Sequence, residues 1–311
     1  MKNKKRRMSN FFINAFYHSK FQDQLFVVKA SGDVIEDDKA LDSLIKNIKD
    51  LSNHGINILL VYGGGKAVDA ELTSRGIAIK KKNGRRITDA PTMAVMKDVI
   101  GGRLSLKVGA AIAKHKVEGL SFNAVPQNWL HADFRKKKPV DYGFVGDILS
   151  TSRRDIMRPF KATNFIACSC LTYSDNGKLL NINADTIATE LAIGAEAGKL
   201  VFMSNVDGVI IGKKTAFMIT DKEIPPLIKK KIVTDGMKVK METCLRALKA
   251  GVTRIHLING LRKDSLYKEI FESIGPGTML ITDKERVSYN NEIAIHKALG
   301  TAKKTAKKKT A

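Results

Sequence analysis

The residues best placed to do chemistry in this sequence lie at two turns. Lys29-Ala30-Ser31-Gly32 sets an ammonium group beside a run of small residues, and Gly63-Gly64-Gly65 offers three positions without side chains. Fixed positive charge and unobstructed backbone N–H groups are what a phosphate requires. Each turn directly follows an apolar run, where helix starts in open parallel sheets point free N–H groups into a crevice. Either turn alone also reads as a tight connection. The pattern G-x-x-x-x-G-K-[ST] is absent, and no G-x-G-x-x-G opens a helix after the first run, which sets aside ordinary P-loop and dinucleotide sites.

The elements that must position these turns follow from periodicity. Leu25 to Lys29, Ile56 to Tyr62, Phe165 to Cys170, Lys199 to Met203 and Arg254 to Ile258 read as buried strands. Between them, Asp38 to Asn53, Lys66 to Arg75, Ala90 to His115, Thr186 to Ala195 and Met237 to Ala250 carry apolar residues at helical spacing. Repeated βα units predict an α/β protein with a mostly parallel sheet. At 311 residues the chain is long enough for one large domain or two lobes, and 43% hydrophobic content excludes a disordered chain.

Charge is the unusual bulk property, with 54 Lys and Arg against 31 Asp and Glu, a net +23. That suggests a polyanion partner. Yet 11 of these charges lie at the ends, in Lys2, Lys4, Lys5, Arg6 and Arg7, and in Lys297, Lys303, Lys304, Lys307, Lys308 and Lys309. The last segment, 300–311, is a low-complexity Lys, Ala and Thr tail without aromatic residues for base stacking, so nucleic acid is not an expected partner except through these ends. Residues 1–22 are basic and contain no acid, which reads as a helix or as an organelle-targeting segment. No apolar run approaches the roughly 20 residues of a membrane span. Three cysteines, with Cys168 and Cys170 as a buried strand pair, fit a reducing, cytoplasmic setting and make a poor metal set.

The order of motifs is more specific than any one of them. Val61-Tyr62-Gly63-Gly64-Gly65, Lys82-Asn83-Gly84-Arg85-Arg86-Ile87-Thr88-Asp89 and Asp141-Tyr142-Gly143-Phe144-Val145-Gly146-Asp147 come first. Asn181-Ile182-Asn183-Ala184-Asp185, Ser204-Asn205-Val206-Asp207-Gly208, Thr234-Asp235-Gly236-Met237 with Lys240, and Gly277-Thr278-Met279 follow. From about Phe26 to Ile281 the chain resembles the amino-acid kinase family, and within it the acetylglutamate kinases. The resemblance implies an αβα sandwich of two lobes. Residues 23–180 would bind the acyl amino acid, residues 181–299 would bind ATP with Mg2+, and the product would be an acyl phosphate.

Residue by residue, the resemblance implies that Lys29 contacts the transferring phosphoryl group, Lys240 the leaving end of the nucleotide, and Asp185 holds both ammonium groups. Such a reaction needs fixed cations and oriented donors more than a nucleophile. Gly32, Gly64 and Gly65 would line the phosphoryl path, with Gly64 and Gly65 also bordering the substrate. Arg86 and Asn181 would bind N-acetyl-L-glutamate, and Ser204, Asn205, Gly236 and Met237 the nucleotide. An N-cap is the alternative role for Asp185, and solvated charge the alternative for Arg85, which points away from Arg86 in an extended segment. The attacking carboxylate is already ionised, so no histidine is assigned, and no protein metal site is expected.

Departures from the family pattern are specific. Ser31 stands where a glycine is usual, Asn205 where an acid is expected, Tyr62 for a frequent His and Ser105 for a frequent Asn. In the arginine-inhibited members an N-terminal helix interlaces dimers into a hexamer. Phe11, Phe12, Ala15 and Phe16 would form the exposed face of such a helix, and the segments around Tyr267, Glu269 and 275–278 would bind arginine. A homo-oligomer, dimer or hexamer, is therefore expected. Two rival readings are a related kinase acting on another or carrier-bound acyl amino acid, and a degenerate kinase retained as a binding module.

Overall fold

The computed structural model describes residues 19–272 and 274–298. The aromatic face at residues 11–16 and the tail at 300–311 lie outside them. Strand β1 is Leu25–Ala30 and β2 Asn57–Tyr62; the short pairs β3 Lys81–Lys82 and β4 Arg85–Arg86, then β5 Leu120–Phe122, β6 Leu130–Phe134 and β7 Gly146–Thr151 follow. Next come β8 Phe165–Ser169, β9 Leu171–Tyr173, β10 Leu179–Asn181, β11 Lys199–Ser204, β12 Ile210–Ile211, β13 Lys214–Thr215, β14 Met218–Thr220, β15 Arg254–Asn259 and β16 Thr278–Ile281.

Eight of these strands form the central sheet in the order β14-β16-β15-β11-β1-β2-β8-β5. Every neighbouring pair is parallel except β15 and β16. β1, β2 and β8 are buried along their whole length, as continuous apolar runs in a covered parallel sheet should be. Helix Ala184–Gly194 packs on β1, β2 and β11, with helix Asp235–Lys249 against it; helix Asp38–Asn53 packs on β2 and is backed by helices Ser105–His115 and Ser265–Phe271. The result is an αβα sandwich. One continuous hydrophobic core runs from Phe21 to Leu280, and the sheet itself joins the two sequence halves where β1 pairs with β11.

The long helix expected over 90–115 is interrupted. Helix Ala90–Met96, capped by Asp89 and carrying Pro91 in its first turn, passes into a π-helical segment Lys97–Leu104 before helix Ser105–His115. The Gly101-Gly102 pair weakens the α-helical path there, and the Ser105 hydroxyl donates to the Ile100 carbonyl at 2.8 Å, partnering an oxygen in the widened turn. This segment matters to the glycine turn: a Cβ on Gly64 would fall 2.3 Å from Leu104 Cδ1, so the glycine lets Leu104 pack against the turn without shifting.

Candidate active site

β1, β2 and β11 end side by side, because Ala30 registers with Tyr62 on one side and Met203 on the other. Their three turns therefore lie at one carboxyl edge, the usual ligand position in such sheets, and those after β1 and β2 line a common crevice. Two of the turns touch: a Cβ on Gly32 would lie 3.2 Å from Gly64 Cα. They border a cleft of about 440 Å³.

Helix Ala184–Gly194 begins at this cleft. Its N-cap is Asn183, whose side chain accepts from the N–H groups of Asp185 at 2.8 Å and Thr186 at 3.4 Å. Asp185 is therefore not the cap, because Asn183 already satisfies those donors. Its carboxylate instead bridges two lysines from different elements. Lys29 Nζ is 2.7 Å from Oδ1, and Lys240 Nζ donates to Oδ2 at 3.0 Å. Lys240 also sits 5.0 Å from the centroid of Phe202, a second attraction that fixes its ammonium. Burial pushes the Asp185 carboxyl up, but the two ammonium groups outweigh it and hold it down to about 2.

The acceptor end of the cleft is assembled by three of the sequence motifs. The Asn83-Gly84 turn, with φ of 52° and 71°, closes the β3 and β4 pair. Thr88 then bonds both ways across to the second motif: its N–H donates to the Tyr142 carbonyl at 2.9 Å, and Phe144 donates back to it at 2.7 Å. Gly143, at φ 66°, is forced at this crossing, since a Cβ would sit 2.3 Å from the Thr88 carbonyl oxygen. Asn181 closes the set, its backbone N–H on Phe144 at 2.8 Å and its amide on Thr88 Oγ1 at 2.9 Å.

This arrangement carries Arg86 into the cleft, where its side chain is only 11% exposed. It is held by Asp69 at 2.6 Å and by the Gly65 carbonyl at 3.0 Å, which leaves further guanidinium donors for a ligand. Asp69 is opposed by burial but kept below the ordinary carboxylate range by Arg86 and Lys81. Arg85 is exposed and borders the mouth of the cleft.

Lys29, Gly32, Gly64, Gly65, Arg86, Asn181 and Asp185 thus line one cleft. Lys240 joins them through Asp185. Ser204, Asn205, Gly236 and Met237 do not line it: Ser204 ends β11 and Asn205 follows it, the others lie in the first turn of helix Asp235–Lys249, and Asn205 and Gly236 are exposed. Sequence reasoning missed Asp69, Arg135 and Cys170. Arg135, gripped by Asp147 with two bonds of 3.0 and 3.1 Å, lines the cleft, and nothing short-range in the sequence marks it among its lysine neighbours. Cys170 lines it too, but burial, countered only in part by Lys29, pushes its thiol up to about 11, so it stays protonated and unreactive at neutral pH.

A cleft with two converging ammonium groups, glycine N–H donors and a guanidinium opposite suits transfer of a phosphoryl group to a carboxylate. Comparison with known proteins agrees with that class. The model of the amino acid kinase family matches residues 24–259. An acetylglutamate kinase of Chlorobium phaeobacteroides is 32% identical over 273 residues, 86% of this chain and 88% of the relative. One from Methanobrevibacter smithii is 31% identical over 282 residues, 85% and 95% respectively. Among solved structures, N-acetylglutamate synthase from Neisseria gonorrhoeae complexed with coenzyme A and N-acetyl-glutamate has a TM-score of 0.80 at 23% identity; it covers 89% of this chain, which spans only 63% of the synthase. Carbamate kinase from Giardia lamblia bound to AMP-PNP has a TM-score of 0.59 at 13% identity over 84% of this chain and 99% of its own. These two likenesses establish the fold.

Proposed function

The chain belongs to the amino acid kinase family, and we propose that it transfers the terminal phosphoryl group of ATP to the side-chain carboxylate of N-acetyl-L-glutamate, a step of arginine biosynthesis. The observation that carries this reading is the bridging of Lys29 and Lys240 by Asp185 in the cleft that also receives Arg86. Each ammonium has three donors and commits one to Asp185, so both retain donors for phosphate oxygens. Lys29 attracts the moving phosphoryl group and Lys240 the leaving diphosphate, while Asp185 fixes their positions before substrate arrives. Arg86 and Asn181 hold the acceptor, with the guanidinium fork matched to its free α-carboxylate.

The attacking carboxylate needs no deprotonation, so no residue serves as general base. Gly32, Gly64 and Gly65 present N–H groups along the phosphoryl path without side-chain obstruction. Ser204, Asn205, Gly236 and Met237 take the nucleotide beyond that path. Magnesium enters with the nucleotide, whose phosphate oxygens are its preferred ligands; among the described residues no three carboxylate, His or Cys side chains converge to hold a metal. The supporting experiment measures ADP release and hydroxylamine-trapped acyl phosphate with N-acetyl-L-glutamate, glutamate and N-acetyl-aminoadipate. Turnover greatest with N-acetyl-L-glutamate supports the reading, and no turnover with any of the three sinks it.

Arginine inhibition of a homo-oligomer is a second reading, supported by a separate charged pocket. Arg254 pairs with Glu285 at 2.8 Å and Glu292 at 2.9 Å. Beside them Glu269 accepts from the Gly277 N–H at 2.9 Å and lies 2.7 Å from His256 Nδ1. The free space is only about 30 Å³, room for about one water, so a guanidinium must displace part of this network to bind. Light scattering of the chain with and without residues 1–20, alongside arginine titration of turnover, tests both parts; unchanged mass and no inhibition remove them. Among the described residues no helix is long and apolar enough to cross a membrane.

A further inference from the structure

Ser31 is the one departure from the usual lysine and glycine turn that lies inside the cleft, and its surroundings are unusual for a serine. It occupies the N-cap of helix Gly32–Glu36 with φ −71° and ψ 161°, the conformation in which a serine side chain normally accepts from the second or third N–H of the helix. Here it makes no such bond. The backbone is fully employed: its N–H donates to the Met203 carbonyl at 3.0 Å, and its carbonyl accepts from Val34 at 3.0 Å and Ile35 at 3.2 Å. The hydroxyl is shut off from water and has no hydrogen-bond partner.

A buried hydroxyl left without a partner costs about 1 to 3 kcal/mol, and a glycine at this position would avoid that cost. Nothing in the backbone asks for the side chain, since φ is ordinary and the cap is unused. What the position does offer is a place in the cleft wall, two residues after Lys29 and next to Gly32, whose turn touches Gly64. Three other side chains of the cleft carry a buried polar atom outside a regular hydrogen bond, and each of those, in Asp69, Arg86 and Asp185, is in an ion pair. Among the described residues Ser31 is thus the cleft's single buried hydroxyl without a partner.

We propose that the Ser31 side chain, turned about χ1 toward the cleft that its residue lines, donates a hydrogen bond from Oγ to an oxygen of the phosphoryl group in transit, a side-chain donor added to Lys29 and the glycine N–H groups. This rests on the kinase reading above, though not on the identity of the acceptor. Phosphoryl oxygens carry charge throughout the transfer and accept readily, and a donor already desolvated by the fold loses nothing further when it engages them. The serine therefore exchanges stability of the unliganded protein for a stronger hold on the moving group.

The test uses Ser31→Ala, Ser31→Gly and Ser31→Thr in the full chain. Affinity is read by calorimetry for MgADP alone and for MgADP with aluminium fluoride, which imitates the planar phosphoryl group; kcat, KM and the thermal midpoint are read alongside. The alanine and glycine variants should lose about 10-fold to 100-fold in kcat and in fluoride-complex affinity, by the usual worth of a hydrogen bond to a charged group. MgADP affinity and the KM for acceptor should hold within about twofold, and the alanine variant's midpoint should stay level or rise, as an unpartnered hydroxyl has been removed. Threonine should restore most of the loss.

Unchanged fluoride-complex affinity in Ser31→Ala overturns the proposal, as does an equal loss for MgADP alone or a fall in midpoint, either of which marks a structural role. If the unaltered protein binds the fluoride complex but turns over none of the three acceptors, the acceptor assignment fails while Ser31 is still decided by binding. Failure to bind MgADP in any form defeats both.

Discussion

Tyr62 and Ser105 meet hydroxyl to hydroxyl at 2.8 Å, joining the residue just before the glycine turn to the end of the π-helical segment. Ser105 spends its own proton on the Ile100 carbonyl, so the Tyr62 hydroxyl is the donor in the pair. The two positions that depart from the family's frequent His and Asn are therefore partners, and the change at one is answered at the other. Tyr62→Phe removes one bond and strands nothing, at a cost of about 1 kcal/mol. Ser105→Ala strands a buried tyrosine hydroxyl and a helix carbonyl, which costs more, about 2 kcal/mol. The double variant should cost less than the sum of the two in urea unfolding. Strict additivity would show that the pair contributes nothing as a pair.

Asp185→Asn keeps the shape of the bridging side chain and removes its charge. Lys29 and Lys240 would then face each other across a neutral amide, repelling instead of sharing a carboxylate. The expected loss in kcat is about 100-fold or more, with the far-ultraviolet circular dichroism unchanged. For stability the direction follows from the depressed carboxyl. The bridge contributes fully above the unfolded value of 3.8 and is lost as pH falls through about 2, so no loss of activity above about pH 5 can come from Asp185. An Asn variant with full kcat would remove Asp185 from the mechanism.

The difference between what the sequence revealed and what it hid follows the range of the interactions. Helix Asp38–Asn53 has the bounds periodicity predicts, because its apolar stripe is regular and Asp37 caps it by accepting from Ala40 at 2.8 Å. The segment 90–115 kept its periodicity while its hydrogen bonding changed, and only the Gly101-Gly102 pair hinted at the π-helical insertion. Lys29, Asp185 and Lys240 lie on three elements far apart in the chain, so no local pattern joins them; motif order did. Asp69 had no such help. It serves Arg86 only because the β3 and β4 pair folds back over helix Gly65–Ser74, a tertiary event with no short-range signature.

His256 supplies a pH dependence unrelated to catalysis. It is buried between Lys199, 3.5 Å from its Nε2, and Glu269 on its Nδ1. Glu269 also faces the Gly277 N–H, and Arg254, with Glu285 and Glu292, completes the charged surroundings. A neutral imidazole fits both contacts, donating from Nδ1 and accepting at Nε2. Burial first, then Lys199, lowers its pKa below the ordinary 6.5, and Glu269 offsets this only in part. The unfolded chain therefore takes up a proton before the folded one does. Stability should fall as pH drops below about 6.5, and His256→Gln should flatten that slope in urea unfolding between pH 7 and 5. An unchanged slope in the variant would place the acid sensitivity elsewhere.

Arg86 and Asp69 separate binding of the acceptor from the chemical step. Asp69 fixes one edge of the guanidinium at 2.6 Å and the Gly65 carbonyl takes another donor, so the remaining edge is presented in a set direction. Arg86→Lys keeps the charge but loses the fork, which a planar carboxylate distinguishes. The expected result is a KM for the acceptor raised about 10-fold to 100-fold, by the worth of one or two charge-assisted bonds, with kcat and the KM for ATP little altered. Asp69→Asn should move the same constant in the same direction by less, because the Gly65 carbonyl still holds the guanidinium. If either substitution lowers kcat and leaves KM alone, Arg86 acts on the transition state rather than on acceptor binding.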